Sequence, residues 1–490
     1  CLRCGSGEAR MNRTACAACG SSACAYCEAC LTMGRSRECG LLILGGGEGC
    51  PADAHGAAAS RLAAPGLAVA RAIAAPVLSA EPSARWGLSP AQHAAASAAL
   101  RYARPRLAAL AAIAHHREAG ARHASLAPST APSAPRTTVP FLLWAVTGAG
   151  KTEMIFPLIE AALSYSGKAL IATPRRDVVL ELDPRIRRAF PEAKAVTLYG
   201  GSEQRWEDGD ITLATTHQLF RFHERFELVV IDELDAYPFH GDPLLHYAAT
   251  KAGKPGGAVV LLSATPPAHL QQAVRKRQID HARVPVRFHR HPLPVPVYIR
   301  MPRVAQILSR RAIPHQLLRQ LQASINRGAQ CFIFVQQIRH AEPLAALLRR
   351  AMPNLPIGAT SSQDAERPQH VAKFREREFR MLVTTTILER GVTVPHSDVF
   401  ILDADGKLFD EASLVQMAGR AGRSKEDPAG RVYFCSSHRS EHQRRAVQQI
   451  KGMNREAAAR GFLLPRTTRL ATYSAPQPHS HATTRKRGDS

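Results

Sequence analysis

Short apolar runs alternate with longer amphipathic stretches along the chain from residue 139 onward. In the first half these runs predict buried strands at residues 139–144, 169–172, 195–198, 211–214, 228–231 and 259–262. A second set of runs lies at residues 331–335, 381–384, 399–402 and 432–435. Helical patterns separate several of them, as at residues 152–166, 342–350 and 367–374. Strands that alternate with helices favour parallel sheets, so the pattern predicts an α/β fold with two doubly wound domains.

Changes in composition divide the chain into five predicted segments. They are a Cys-rich module at 1–44, an Ala/Gly/Pro-rich linker at 45–85, α/β domains at 86–290 and 291–465, and a basic, disordered tail at 466–490. Ser89 and Pro90 predict the start of a helix, with Ser89 as its N-cap and Pro90 as its first residue. Residues 119–138 are rich in Ala, Ser, Pro, Thr and Arg, which is typical of a surface loop.

The charge of the chain is unusual for a globular composition. Hydrophobic residues make up 45% of its 490 residues, but the formal net charge is +24. Such a surplus favours a polyanionic partner, either nucleic acid or an anionic membrane surface, unless it reflects dispersed Arg from genome composition. No apolar run reaches about 18 residues, so we expect no transmembrane segment. Because the first residue is Cys rather than Met, we expect residues before Cys1 to be missing.

Eight of the 11 cysteines lie within the first 39 residues, and they are Cys1, Cys4, Cys16, Cys19, Cys24, Cys27, Cys30 and Cys39. They form three Cys-x-x-Cys pairs and two further thiols. Two such pairs can supply the four ligands of a tetrahedral Zn²⁺, so we predict that all eight bind zinc at up to two sites. A disulfide framework is the less favoured alternative. Cys50, Cys331 and Cys435 are expected to be packing thiols.

The sequence does not decide which of the eight cysteines share a metal. Sequential pairing would join Cys1, Cys4, Cys16 and Cys19 in one site and the other four in a second. Interleaved pairing is equally compatible with the spacing. In either arrangement, the module is too short and too rich in small residues to bury a core, so metal binding would supply its folding energy.

A phosphate-binding loop follows the first apolar run. It reads Ala145-Val146-Thr147-Gly148-Ala149-Gly150-Lys151-Thr152, which is Gly-x-x-x-x-Gly-Lys-Thr with Ala145 in place of the first Gly. A strand before the loop and a helix after it are the context that this motif requires. Backbone N–H groups of the loop can surround a triphosphate, Lys151 would contact the β- and γ-phosphates, and Thr152 would hold Mg²⁺. The motif therefore predicts ATP and Mg²⁺.

An acidic cluster, Asp232-Glu233-Leu234-Asp235, follows the apolar run at residues 228–231. The carboxyl ends of parallel strands meet at one edge of a sheet, so we expect this cluster near the phosphate loop. Asp232 would bind hydrated Mg²⁺, and Glu233 would orient or deprotonate the attacking water. Ser263 and Thr265 end the next strand, where their hydroxyl groups can hydrogen-bond the acidic cluster and report the nucleotide state to the second domain.

The second domain carries Gln416, Arg420 and Arg423 at the end of a helical pattern. Two arginines three residues apart are predicted to share a helix face. Guanidinium groups suit phosphate contacts and transition-state charge. The second domain would thus present both arginines across a cleft to ATP held by the first, and the cleft would open and close during turnover.

Taken together, these motifs resemble the superfamily 2 helicases, which have two RecA-like domains. Residues 172–175 resemble motif Ia, residues 215–217 motif Ib, residues 331–335 the motif IV strand and residues 384–393 motif V. The resemblance implies contacts with a nucleic acid backbone through Thr173, Pro174, Arg175, Thr216, His217, Thr385, Thr386 and Arg390. It also implies that Gln92, upstream of the phosphate loop, reads the adenine.

A closer resemblance is to the ComFA family, the late-competence helicase-like ATPases of transformable Gram-positive bacteria. It rests on residues 1–4, 24–35, 145–154, 232–238 and 384–393 and spans residues 1–39 and about 86–440. The resemblance implies an ATP-driven single-stranded DNA translocase with a zinc module, located in the cytoplasm at the inner face of the uptake channel. It also implies a phosphoribosyltransferase-like competence protein as a partner.

Three other interpretations remain open. A PriA-like replication-restart helicase shares many of the motifs, but its cysteines interrupt the second motor domain rather than precede the motor. An RNA helicase of superfamily 2 is compatible with the acidic motif. A non-enzymatic zinc module with an inactive motor is disfavoured, because the expected catalytic residues are all present. The sequence leaves translocation polarity, duplex unwinding and oligomeric state undecided.

Overall fold

The computed structural model describes residues 1, 3–33, 36–39, 85–121, 138–388, 392 and 394–465. Several predictions fall outside these residues, namely the linker before residue 85, most of the loop at 119–138, the tail from residue 466, Cys50 and Arg390. The described chain forms one antiparallel and two parallel sheets. None of its described helices is long and apolar enough to cross a membrane.

The N-terminal module is a three-stranded antiparallel sheet. Its strands are β1 (Met11–Thr14), β2 (Cys24–Cys27) and β3 (Ser36–Arg37), with β2 in the centre. Short 3₁₀ turns lie at Glu8–Arg10 and Glu28–Met33.

The first α/β domain is a seven-stranded sheet whose paired strands are all parallel. Its strands are β4 (Phe141–Ala145), β5 (Ala169–Thr173), β6 (Ala195–Leu198), β7 (Ile211–Thr215), β8 (Phe226–Ile231), β9 (Gly253–Ser263) and β10 (His281–Val284). Its helices are α1 (Pro90–Ala121), α2 (Lys151–Ser164), α3 (Arg176–Ala189), α4 (Pro243–Ala252) and α5 (Ala268–Arg275), with a 3₁₀ helix at Thr216–Arg221. The strand order β10-β4-β9-β8-β5-β7-β6 separates β4 from β8 by one strand, so the segments that follow them lie at the same edge.

The second α/β domain is a six-stranded parallel sheet in the order β11-β16-β15-β12-β14-β13. Its strands are β11 (Val297–Arg300), β12 (Gln330–Phe334), β13 (Ile357–Ala359), β14 (Met381–Thr384), β15 (Ser397–Leu402) and β16 (Val432–Ser436). Its helices are α6 (Val304–Arg310), α7 (His315–Asn326), α8 (Ile338–Ala351), α9 (Arg367–Arg375), α10 (Glu411–Ala418) and α11 (Glu441–Ala459), with a 3₁₀ turn at Thr386–Leu388. The predicted fold of two parallel-sheet α/β domains behind a Cys-rich module is therefore confirmed.

Three strands were not predicted by the pattern of apolar runs, and all three lie at sheet edges. These strands are β10, β11 and β13. The interior strands β4, β5 and β7 are buried at every residue, as expected where helices cover both faces of a parallel sheet. An edge strand has one neighbour and more solvent contact, so it needs no continuous apolar run. Strand β10 accordingly includes exposed His281 and half-buried Arg283.

Helix α1 begins at Pro90 as predicted, but Ser89 does not cap it with its side chain. The Ser89 hydroxyl is buried without a hydrogen-bond partner. Instead, the backbone N–H of Ser89 donates to Gln92 Oε1 at 2.8 Å, which is the reciprocal half of a capping box. The start of the helix is thus tied to Gln92, a residue that also contacts the phosphate loop.

The N-terminal module packs against helix α4 of the first domain. Lys251 Nζ donates a hydrogen bond to the Arg3 carbonyl at 2.7 Å. The ring of Tyr247 lies against the backbone of Gly5, where an added Cβ would be 2.7 Å from a ring carbon. Cys4, Cys27 and Cys30 belong to the same apolar core as the first domain. The Cys-rich module is therefore packed directly against the first α/β domain.

Candidate nucleotide cleft and cysteine metal centres

The phosphate loop connects β4 to α2 and has the backbone that its glycines permit. Gly148 and Gly150 have φ values of 79° and 74°, in the left-handed region that glycine adopts without steric cost. Gly150 immediately precedes helix α2, so the N–H groups at its first turn face the cleft. Lys151 Nζ lies 3.6 Å from Asp232 Oδ1. The loop and the acidic cluster therefore meet as the strand order requires.

The acidic cluster is connected to the second domain by hydrogen bonds. Ser263 Oγ and Thr265 Oγ1 each donate to a different Asp235 carboxylate oxygen at 2.6 Å, as the sequence predicted. Gln416 Nε2 donates to Thr265 Oγ1 at 3.2 Å. The chain Asp235–Thr265–Gln416 thus crosses the interface, and it gives the segment after β9 a physical route to the other domain.

Arg420 and Arg423 do not share a helix face, which corrects the prediction. Helix α10 ends at Ala418, and Gly419 is its C-cap. The turn that follows includes Gly422 with a φ of 64°, a conformation that redirects the backbone. Arg420 is buried and donates to the Val392 carbonyl, and both arginines line the cleft from this turn. Two glycines within five residues therefore favour a turn over helix continuation.

The cleft between the domains has a volume of about 580 Å³, within the range of small-molecule sites. It gathers predicted residues from both domains, namely Gln92, Thr147, Gly148, Gly150, Lys151, Thr152, Asp232, Glu233, Gln416, Arg420 and Arg423. Ala149, within the loop, is buried and does not line the cleft. Burial lowers the pKa of Arg423, and the carboxylates of Glu181 and Glu233 act against this shift. Opposite charges from the two domains therefore face each other within one cleft.

The side-chain amide of Gln92 forms hydrogen bonds with the protein backbone at both of its ends. Its amide nitrogen donates to the Ala149 and Gly150 carbonyls at 2.8 and 3.3 Å. Its amide oxygen accepts the N–H of Ser89. The side chain therefore braces the phosphate loop against the start of α1 in this structure, and its predicted role in reading adenine stays a prediction.

Sequence reasoning missed the contribution of the segment between the domains. The Pro- and His-rich composition of residues 285–300 predicts an interdomain linker. Arg287 within it is nevertheless completely buried between the phosphate loop and the turn after α10. Its guanidinium donates to the Gly419 and Gly422 carbonyls. Phe288 lines the cleft, as do Glu181 and Arg185 of α3. The succession Arg287-Phe288-His289 within the predicted linker was the available signal.

Some of the residues predicted to contact nucleic acid are buried, and others are at least partly exposed. Thr173, Thr216 and Thr385 are buried, so their side chains do not reach the surface in this conformation. Pro174, Arg175 and Thr386 are half-buried and His217 is exposed. Arg175 also donates to the Ile387 carbonyl at 3.3 Å, which brings motif Ia beside motif V across the interface. Arg390 lies outside the described residues.

The eight N-terminal cysteines form two groups of four thiols. One comprises Cys1, Cys4, Cys27 and Cys30, and the other comprises Cys16, Cys19, Cys24 and Cys39. The Cys1–Cys30 and Cys4–Cys27 sulfurs are 3.7 and 3.6 Å apart, and Cys39 lies 3.7 Å from both Cys16 and Cys24. Four sulfurs at Zn–S distances of about 2.3 Å would lie about 3.8 Å apart in a tetrahedron. Both groups therefore fit a zinc ion, and all eight cysteines are free thiols rather than disulfides.

The pairing is interleaved, and strand β2 explains why. Cys24 and Cys27 are its first and last residues. Because side chains alternate between the faces of a strand, residues three apart point to opposite faces. This Cys-x-x-Cys pair therefore cannot converge on one metal, and it joins the two groups instead. Hydrogen bonding to Cys16 and Cys24 holds the Cys39 thiol in its protonated form and raises its pKa to about 12.

Two RecA-like sheets with a phosphate loop in the first and arginines from the second define the class of nucleic-acid-dependent ATPases of the helicase type. Residues 132–273 match the DEAD/DEAH box helicase family, and residues 313–425 match the helicase conserved C-terminal domain. The chain is accordingly a helicase-type ATPase, as predicted.

Two curated relatives identify the family. Competence protein ComFA of Bacillus subtilis is 40% identical over 317 residues, covering 65% of this chain and 68% of that protein. ComFA of Streptococcus pneumoniae is 36% identical over 318 residues, covering 65% and 73%. The chain belongs to the ComFA family.

Solved helicase structures agree with the fold. Dbp5 of S. cerevisiae bound to RNA and ADP BeF₃ has a TM-score of 0.50 at 16% identity, covering 76% of this chain and 93% of that one. The DEAD-box helicase Mss116 bound to ssRNA and UDP-BeF has a TM-score of 0.50 at 17% identity, covering 76% and 81%. At such identities the similarity shows the RecA-like fold alone.

Proposed function

We propose that this chain is an ATP-driven translocase of single-stranded DNA that acts in DNA uptake during natural competence. The observation that carries the proposal is the cleft, which assembles Lys151, Asp232 and Glu233 from one domain with Arg420 and Arg423 from the other. A site divided in this way changes with domain closure, so each turnover can move the domains relative to each other. Membership of the ComFA family supplies the competence context.

The residues of the cleft suit each part of ATP hydrolysis. The triphosphate would lie on the N–H groups of the loop with Lys151 on its terminal phosphates. Thr152 and Asp232 offer the hydroxyl and carboxylate oxygens that Mg²⁺ prefers, and the ion, when bound, neutralises phosphate charge. Glu233 would orient the attacking water, and the arginines would stabilise charge on the transferred phosphoryl group.

Single-stranded DNA would cross both domains on the residues after β5, β7 and β14. Half-buried Arg175 and exposed His217 offer side chains to phosphates, whereas base readout is not required for movement along a strand. The net charge of +24 supports a polyanionic track. Binding through phosphates releases counterions, so affinity should fall steeply as salt is raised.

The decisive experiment measures ATP hydrolysis with single-stranded DNA, duplex DNA and RNA at matched nucleotide concentration. Single-stranded DNA should stimulate turnover the most. Strong stimulation by RNA together with none by DNA would reject the proposal in favour of an RNA helicase. Directional displacement of a protein block from single-stranded DNA would then distinguish translocation from simple stimulation.

We propose further that each cysteine group holds one Zn²⁺, giving two ions per chain. Metal analysis of a Cys4→Ser/Cys27→Ser double variant tests both the metal and its pairing. Interleaved sites predict loss of one ion, because both changes affect the same group, whereas sequential sites predict loss of two. The control is Cys435→Ala, since Cys435 is buried in the second domain and should not affect zinc content. A chain without zinc would contradict the proposal.

The proposed setting is the inner face of the DNA-uptake channel, with a phosphoribosyltransferase-like competence protein as the partner. Support for both comes from membership of the ComFA family. Co-purification of the two proteins, with and without intact cysteine groups, would test whether the N-terminal module provides the contact.

A further inference from the structure

An aromatic side chain stands exposed in the nucleotide cleft. Phe288 keeps 47% of its surface accessible although it lies in a segment that is otherwise largely buried. Among the described residues that line the cleft, it is the only aromatic one. The chemistry already assigned to the cleft concerns phosphates, magnesium and water, and none of it needs a phenyl ring.

The backbone fixes Phe288 beside the phosphate loop. Its N–H donates to the Gly148 carbonyl at 3.2 Å. The preceding Arg287 is completely buried and holds carbonyls of the turn after α10. The following His289 donates from Nε2 to the Gly422 carbonyl at 3.1 Å, and its ring meets that of Phe288 edge-on at 5.2 Å. Phe288 is thus anchored on both sides, and its exposure does not arise from a loose loop.

The cleft contains few side chains on which a nucleobase could stack. Lys151, Asp232 and Glu233 occupy the phosphate side, where Arg423 faces Glu233. The side that contains Gly87, Ser89 and Gln92 has no group free to stack, and both ends of the Gln92 amide are engaged by the protein. Among the described residues that line the cleft, Phe288 alone supplies a flat apolar face.

We propose that Phe288 is the base-stacking residue of the nucleotide site, and that it places the nucleobase of ATP against the segment connecting the two domains. The inference rests on the assignment of the cleft to ATP. Stacking is tolerant of base identity because every base has a π face. Since Arg287 ties the same segment to Gly419 and Gly422, a base on Phe288 also stabilises the segment on which the second domain's arginines rest.

The test is calorimetric titration of ADP and, separately, of inorganic tripolyphosphate into the full chain and a Phe288→Ala variant. Base–aromatic stacking has a magnitude that corresponds to about 5- to 150-fold in affinity. ADP should bind the variant more weakly by this factor, whereas tripolyphosphate, which has no base, should bind both proteins equally. Phe288→Trp should restore ADP affinity, and its added indole fluorescence should change with ADP but not with tripolyphosphate.

The matched control is Trp206→Ala, which removes an aromatic residue that is 87% exposed and does not line the cleft. It should leave ADP affinity unchanged. Equal loss of ADP and tripolyphosphate binding in Phe288→Ala would show a structural role and overturn the inference, as would unchanged ADP affinity. Failure of the parent chain to bind either ligand would overturn the nucleotide assignment itself, which is a distinguishable result.

Discussion

The two α/β domains have the same all-parallel construction but carry opposite chemistry at the cleft. The first presents a glycine-rich loop at Lys151 and carboxylates at Asp232 and Glu233. The second presents Arg420 and Arg423 from a turn after a short helix. The first domain supplies groups that can hold a nucleotide, and the second adds Gln416 and two arginines to the same cleft. The comparison shows that the two domains share a fold, whereas a few residues at the ends of strands and helices decide what each domain contributes.

A site divided in this way makes catalysis depend on contact between the domains. The two domains are closely packed at this point, because a Cβ added to Gly419 would overlap the side chain of Thr147. The variants below test whether the first domain binds and the second completes the reaction.

The largest effect should come from Lys151→Ala in the first domain. Loss of the only lysine among the described residues lining the cleft removes the main charge opposite the β- and γ-phosphates, so we expect no measurable ATP turnover. Zinc content should stay at the parental value, because Lys151 is the first residue of helix α2 and lies far in sequence from the cysteines. Loss of zinc together with turnover would mean that the modules do not fold as separate units.

Removal of an arginine from the second domain should reduce turnover without preventing binding. Arg423→Ala should lower kcat by about 10³-fold, since an arginine that meets transition-state charge has effects of this order. ADP affinity should change little, because the first domain holds the phosphates. Arg444→Ala is the control, as Arg444 is exposed and pairs with Glu441 on the surface of α11. Equal losses of binding and kcat would contradict the division of roles.

A stability test can distinguish the unfolding of the two α/β domains. Arg327 lies between the buried carboxylates of Asp398 and Asp427, which raise its pKa against the effect of burial. Arg327→Ala removes the guanidinium that both carboxylates face, so the second domain should lose about 3–5 kcal/mol of stability. Denaturant titration should show an early transition of the second domain with the first retained. The surface pair of Arg349 and Glu342 provides the control, and Arg349→Ala should cost less than about 1 kcal/mol.

The smallest effect concerns pH at the junction of the domains. Burial lowers the pKa of His289 to about 4, with Arg287 contributing. An unfolded histidine with a pKa of about 6.5 binds a proton that the folded one excludes, so His289 lowers stability as pH falls from about 6.5 to 4. Melting temperatures of the parent should fall across this window by more than those of His289→Gln. Parallel pH profiles would show that His289 is not buried in neutral form.

The sequence by itself determined the interior strands and the motifs of the predicted phosphate site. Interior strands of parallel sheets must be apolar along their length, so runs such as that at residues 381–384 coincide with β14. The loop at 145–152 and the acids at 232–235 are local motifs whose partners follow from strand order. Edge strand β10 could not be identified in this way, because solvent on one side removes the demand for apolar residues.

Tertiary structure decided the directions in which side chains point and which distant segments meet. The spacing of Cys24 and Cys27 suited a shared metal, but placement on strand β2 sends the two thiols to opposite faces and interleaves the sites. Arg420 and Arg423 had helical spacing, but Gly419 ends the helix before them. Residues 287–289 resembled a plain connection until folding placed Arg287 inside the interface and Phe288 in the cleft. A sequence records which groups are available, whereas only the packed backbone fixes where each group points.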